Sequence, residues 1–143
     1  MGLSITSANA IIVLTVPGVV PGIQLEGFSA DDIYDMEAIE VAETSMGVDG
    51  VLSAGFVFTA VKQSFSFQAD SPSIQLFEDW YTAELALVDK IPAVVLVTLP
   101  SLGIVYTQQP GWFKSYPPAP SAGKTLKPRK FGIEFGRCIP SGL

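Results

Sequence analysis

The sequence predicts a mainly β, antiparallel fold, a β-sandwich or open barrel with one flanking α-helix. Short β-branched and apolar runs recur between Pro-Gly and glycine-centred turns. Val61 to Ala69 gives the cleanest alternation in the chain: Val61, Phe65, Phe67 and Ala69 are apolar, Gln63 breaks their row, and Lys62, Ser64, Ser66 and Gln68 are polar. A single segment, Pro72 to Lys90, changes to the three- and four-residue steps of a helix.

Taken in order, Ala10 to Val16 reads as a buried strand, and Pro17-Gly18 and Pro21-Gly22 as turns before Ile23 to Phe28 resumes, together a short meander. Glu37 to Thr44 reads as a half-polar strand. Gly47-Val48-Asp49-Gly50 then supplies a turn into Val51 to Thr59. Ser71 before Pro72 has the pattern of an N-cap followed by a proline in the first helical position, and Ile74, Phe77, Tyr81, Leu85 and Val88 form the apolar stripe. Glu78 and Asp79 in the first half and Lys90 at the end agree with the helix dipole. Beyond Pro92, Ala93 to Leu99 and Leu102 to Gln108 read as a hairpin around Pro100-Ser101. Gln109 to Lys130, with Pro110, Pro117, Pro118, Pro120 and Pro128, reads as a long loop of functional or interfacial use. Phe131, Ile133 and Phe135 close the chain as a last alternating strand.

At 143 residues the chain fits a single domain, residues 1–143, with a core large enough to need no metal or disulfide. Its one cysteine, Cys138, excludes an internal disulfide and reads as a small buried hydrophobe. A mean hydropathy of +0.41 is high for a lone soluble domain, yet Ala10 to Leu14 and Ala93 to Val97 are far too short to span a bilayer. The surplus apolar surface points to cover by neighbouring subunits rather than to a membrane. Without a basic stretch before it, Ala8-Asn9-Ala10 does not read as a cleavage site, and Met1-Gly2 with Thr6 fits only the loose acylation pattern.

Charge is polarised along the chain. Eight acids and no base precede Lys62, whereas eight bases stand against six acids from Lys62 onward, giving the net −6. A molecule acidic at one end and basic at the other is suited to meeting copies of itself.

Several chemistries are excluded or weakened by what is missing. There is no histidine, hence neither the commonest general base nor the commonest transition-metal ligand. Ser53 fails the nucleophile-elbow pattern because Val51 stands where glycine is needed. Gly123-Lys124-Thr125 copies the end of a phosphate loop, but Pro118 replaces the leading glycine and no strand feeds it. The acidic run Asp31, Asp32, Asp35, Glu37, Glu40 and Glu43 is no EF-hand, since Ile33 takes the third position and no glycine the sixth. It reads as a solvated face or as a surface that repels polyanions. Lys114, Lys124, Lys127, Arg129 and Lys130, near Trp112, Phe113 and Tyr116, superficially suit single strands of nucleic acid. Interrupting prolines and the negative total favour subunit contact instead. No cofactor or metal is expected.

Glu43-Thr44-Ser45-Met46, Gly47-Val48-Asp49-Gly50, Ser53-Ala54-Gly55, Lys62 to Ala69 and the helix opening Asp70-Ser71-Pro72-Ser73 together resemble the tail tube proteins of contractile-tailed bacteriophages. The likeness covers roughly residues 24 to 90 and, loosely, the last strand; the proline-rich segment is longer than in that family. The resemblance implies a β-sandwich with a flanking helix, assembling as hexameric rings that stack into a hollow tube, with two hairpins per subunit joining a shared barrel around the bore. It implies as partners other copies of the chain, a tail sheath protein, baseplate or initiator proteins, and genomic DNA passing transiently without sequence specificity. The place implied is the virion tail, assembled in the bacterial host cytoplasm.

On that reading the candidates for the bore are Glu40, Glu43, Lys62, Ser64, Ser66 and Gln68, a polar lining that would let a polyanion slide. Glu40 and Glu43 fall on opposite alternating faces, so a bulge is needed to bring both inward. Ring-to-ring contact falls to Asp49 and to Lys124, Lys127, Arg129 and Lys130. Two competing classes are a virion decoration or adhesion sandwich that binds a partner surface, and a small enzyme using paired carboxylates such as Glu37 and Glu40.

Overall fold

The computed structural model describes residues 10–29 and 33–142. Met1, Gly2 and Thr6 of the acylation pattern, Ala8 and Asn9 of the cleavage pattern, and Asp31 and Asp32 of the acidic run lie outside the described residues.

Strands β1 (Ile11–Val16), β2 (Val20–Gln24), β3 (Tyr34–Met36), β4 (Ala42–Met46), β5 (Leu52–Phe56) and β6 (Val61–Phe67) precede helix α1 (Ile74–Leu87), and β7 (Ala93–Leu99), β8 (Ile104–Ser115) and β9 (Arg129–Gly142) follow it. Seven strands form an antiparallel sheet in the order β2-β1-β7-β8-β9-β6-β3, while β4 and β5 pair only with each other. The predicted class is the one observed, mainly antiparallel β with one helix among the described residues. The sheet is open, with β2 and β3 at its two edges.

Alternation decides which face is buried. On β6, Val61, Gln63, Phe65 and Phe67 turn inward while Lys62, Ser64 and Ser66 turn out, and on β9 Phe131, Ile133 and Phe135 share the inner face. Helix α1 closes this face with Ile74, Phe77 and Trp80. The Phe77 ring stacks on Phe131 at 4.7 Å and also meets Phe65, Phe67, Phe113 and Trp80. Trp80 satisfies its indole N–H on the Ile91 carbonyl at 3.0 Å.

The helix stripe differs from the expected one. Tyr81, Leu85 and Val88 are exposed, and the buried row is Ile74, Phe77, Trp80 and Glu84. Glu84 reads as a surface residue in sequence, but its carboxylate accepts the Ile91 N–H at 2.8 Å and pairs with Lys90 at 2.7 Å. It thus ties the helix exit to β7, and Lys90 lies beyond the last turn, donating also to the Phe113 carbonyl.

Ser71 and Ser73 do not cap the helix, which starts two residues later than the Pro72 expected from the sequence. Their hydroxyls instead clamp Glu26: Ser73 Oγ accepts its N–H at 2.7 Å and Ser71 Oγ donates to its carbonyl. The chain just past β2 thus takes these hydroxyls, and of the N–H groups at the helix start Ser71 Oγ accepts that of Ser73 at 3.2 Å. Ser73→Ala is expected to cost about 1–3 kcal/mol, because it strands a partly buried N–H. An unchanged urea midpoint would show that solvent takes over this bond.

Three other expectations are corrected. Pro21-Gly22 makes no turn; it lies within β2, opposite a register shift at Leu14/Thr15, where an edge strand tolerates the missing proline N–H. Glu37 to Thr44 is not one strand: β3 ends at Met36 opposite Gln63, and one further bond, from the Glu37 N–H to the Lys62 carbonyl at 3.2 Å, closes the pairing with β6. The chain then leaves the sheet and pairs again only from Ala42. The proline-rich loop is shorter than expected, since β8 runs through Pro110 to Ser115 and the connection is residues 116–128. Proline fits in that strand at a register shift opposite Ala93/Val95. Two glycines admit the neighbours: a Cβ on Gly111 would come within 2.7 Å of the Phe135 ring, and one on Gly136 within 2.8 Å of Pro110.

Candidate functional site

Strands β4 and β5 form an arm outside the main sheet. The turn that joins them is held by Gly47 N–H to the Val51 carbonyl at 2.9 Å, by Gly50 N–H to the Gly47 carbonyl at 3.0 Å, and by Asp49 Oδ1, which accepts the Val51 N–H at 3.1 Å. Gly50 takes φ +84, a conformation that a side chain would disfavour. At the root, Thr59 donates its hydroxyl to the Glu40 carbonyl at 2.7 Å.

Register divides the arm into two unlike faces. Ala42 opposes Phe56, Thr44 opposes Ala54 and Met46 opposes Leu52, whereas Glu43 opposes Gly55 and Ser45 opposes Ser53. Opposed residues share a face. One side is therefore apolar apart from Thr44, and the other is carboxylate and hydroxyl. Phe56 is 74% exposed and Met46 65%, with Leu52 also exposed. A lone two-stranded ribbon is marginal in water, and its apolar face stays largely exposed, with Phe56 meeting only the edge of the Phe58 ring at 5.0 Å among the aromatic contacts of the described residues. Neither Ser45 nor Ser53 stands among the residues expected at the bore; the matching alternation of Ala42 to Met46 and Leu52 to Phe56 is the signal that finds them.

The second polar surface is the outer face of β6. Phe65 and Phe67 meet α1, so Lys62, Ser64 and Ser66 look away from the helix, and Gln68 follows just past the strand end. Lys62 pairs in register with Glu134, Ser64 with Gly132 and Ser66 with Lys130 across β9, and Ser64 with Asp35 across β3. Lys62, Lys114 and Lys130 line a shallow depression of about 290 Å³ together with Asp35, Glu37 and Glu134. This face is charge-balanced. The acidic part of the expected polar lining belongs to the arm, where Glu43 shares its face with the two serines.

A hydrogen bond from Lys114, 2.9 Å away, holds the Glu134 carboxyl below the ordinary carboxylate range, with further lowering from the charges of Lys114 and Lys62. A lowered folded-state pKa contributes stability that is present above the ordinary glutamate range and is lost as pH falls through the lowered value. Lys114→Met should raise the Glu134 pKa, read by an NMR pH titration of its carboxyl carbon, with little effect on stability because the pair is exposed. An unmoved titration would show that this bond does not persist in solution.

The basic candidates separate into two groups. Lys124 and Lys127 are exposed in a small turn where Ala122 bridges Leu126 and Lys127 N–H reaches the Ser121 carbonyl at 2.8 Å; Lys130 is exposed on β9. Arg129 is a correction. It is 5% exposed, lies 3.6 Å from Glu78, donates to the Pro117 carbonyl and sits over the Tyr116 and Phe131 rings. It anchors the proline-rich connection from inside and is not free to reach another ring. Asp49 stands at the arm tip, partly engaged in its turn. The arm and the Lys124 turn thus present opposite charges at separate places, and none of the ion pairs among the described residues involves the arm.

A family model described as tail fiber protein gp32 matches residues 3–139. No curated protein matches the chain. Among solved structures, the chain is similar to a component of the anti-feeding prophage baseplate, six-fold symmetrised, with 11% identity, 99% of this chain and 98% of that one covered, and a TM-score of 0.61. It is also similar to a chain of the sheath/tube terminator of the extracellular contractile injection system PVC, with 13% identity, 99% of each chain covered and a TM-score of 0.63. A chain of the PVC sheath-tube complex in the extended state gives 16% identity, coverage of 92% and 88%, and a TM-score of 0.56. At such identities the likeness is one of fold.

Proposed function

The chain belongs to the tail fiber protein gp32 family, and from that membership we propose that it is a ring-forming subunit of a contractile tail tube. The family is one of structural tail proteins and not of enzymes, so the reading of Glu37 and Glu40 as a catalytic pair falls away. In the proposed assembly one tail-tube-like domain, residues 1–143, forms hexameric rings that stack around a bore. Its partners are other copies of itself, the tail sheath protein and baseplate or initiator proteins, with genomic DNA passing transiently through the lumen and no membrane contact. Its place is the virion tail, after assembly in the host cytoplasm.

The observation that carries this reading is the arm. An amphipathic ribbon with both long edges unpaired and one apolar face uncovered is completed by a barrel closed between subunits, which removes the edges and buries that face together. Glu43 then faces the bore with Ser45 and Ser53, while Lys62, Ser64 and Ser66 line it from β6 with Gln68 just past its end, and Glu40 stands at its rim. Since Lys62, Ser64 and Ser66 look away from α1, a bore on their side puts the helix outside. Its exposed Leu85, Leu87 and Val88 then form the natural surface for the sheath. Asp49 at the arm tip and Lys124, Lys127 and Lys130 are the ring-to-ring contacts, opposite charges that favour head-to-tail stacking.

Electron microscopy of the purified protein over a concentration series tests the proposal. Hollow filaments with an axial ring repeat are expected. Single rings that never stack would reassign it to the end of a tube, which the likeness to a sheath/tube terminator supports as the second reading. Small discrete particles, even with an initiating baseplate present, would leave the decoration or adhesion module in its place.

A further inference from the structure

Two buried amides in the subunit interior have polar atoms without a hydrogen-bond partner in the protein. Gln63 on β6 is 3% exposed, and neither its Nε2 nor its Oε1 has a partner. Gln108 on β8 is 1% exposed; its Nε2 reaches the Met36 sulfur at 3.8 Å and also meets the Cys138 sulfur, and its Oε1 has no partner. Native interiors seldom leave such groups unmatched, and each one that is found calls for a physical reason.

Both side chains line one cavity of about 280 Å³. It exists because the open sheet curls until edge strand β3 lies over the inner face of β8, at the end that α1 does not cover. Its other walls include the rings of Tyr34 and Tyr106, with Met36, Val97 and Cys138. No Lys, Arg, Asp or Glu lines it. Burial pushes the Tyr34 hydroxyl up, and the Cys138 thiol up as well, so both are neutral near pH 7. The walls are apolar and aromatic, and the polar demands are those of a carboxamide: one donor and one acceptor side by side on Gln63, and one more acceptor on Gln108.

We infer that this cavity is a binding site for a small, uncharged, planar compound bearing an amide or lactam edge. Its adjacent N–H and C=O pair with the Gln63 carboxamide, a further donor meets Gln108 Oε1, and its flat body lies against the Tyr34 and Tyr106 rings and Met36. Charged ligands are rejected because nothing in the walls compensates a buried charge. The site lies inside one subunit and is independent of how rings form.

The test uses the full ¹⁵N-labelled chain below its assembly concentration, with 2-pyridone as the probe and toluene and benzoate as controls. Saturable shifts of the Gln63 and Gln108 side-chain NH₂ resonances with 2-pyridone alone are expected. Gln63→Leu should weaken that binding at least about tenfold, the effect of losing a hydrogen-bonded edge. It should not lower the melting temperature, because the amide it removes has no partner to lose. Absence of saturable shifts, equal binding by Gln63→Leu, or NMR contacts showing both amides held by water that 2-pyridone does not displace would each overturn the assignment. If Gln63→Leu fails to fold, Gln108→Leu reads the same edge from β8.

Discussion

Phe77→Ala is expected to remove about 3–5 kcal/mol of folding stability, read as a lower urea midpoint. Phe77 is fully buried and joins the helix to three strands, stacking on Phe131 of β9 and meeting Phe65 and Phe67 of β6 and Phe113 of β8. Truncation leaves a cavity between layers that cannot close without moving the helix, and the penalty is a large share of the roughly 5–15 kcal/mol that holds a domain together. Leu85→Ser on the same helix is the internal control. Its side chain is exposed, so the change should stay within about 0.5 kcal/mol. Equal losses for the two variants would mean that the helix is not seated by this face.

The second large effect falls on assembly. Replacing Met46, Leu52 and Phe56 together by serine should leave the isolated subunit's melting temperature nearly unchanged, because all three are exposed on the arm. The concentration needed to form rings or filaments should rise on the order of a thousandfold. Each side chain is worth about 1.5–3 kcal/mol when buried, and every 1.4 kcal/mol is about a factor of ten. Sedimentation and electron microscopy of the variant beside the parent decide the matter. Filaments at the parent's concentration would show that this face lies outside every subunit contact.

Local pattern made most of the sheet legible. Alternation on β6 and β9 placed the inward phenylalanines of those two strands correctly, and the Gly47 to Gly50 turn placed the arm. Legibility failed where a residue's partner lies far along the chain. Ser71 has the look of a helix cap, and the approach of Glu26 turns its hydroxyl to another strand's end. Trp80 was missed in the helix stripe because Tyr81 satisfies the same spacing one position on; Phe113, reaching from β8 to stack on Trp80 at 4.8 Å, decides between them. Arg129 reads as one more surface cation in a basic stretch until Pro117 and Glu78 are brought around it.

By itself the sequence determined the antiparallel β class, the single helix, the hairpin turns and the polarity of charge from acidic to basic, since each follows from residues within a few positions of one another. Tertiary structure alone decided that the acidic hairpin stands clear of the sheet with an uncovered apolar face, that the polar row of β6 is balanced by lysines and acids from β3, β8 and β9, and that two glutamines from distant strands meet in one cavity. Those outcomes depend on which strands become neighbours. Strand order is set by the summed burial of the whole sheet against the helix, a quantity that no local stretch of residues contains.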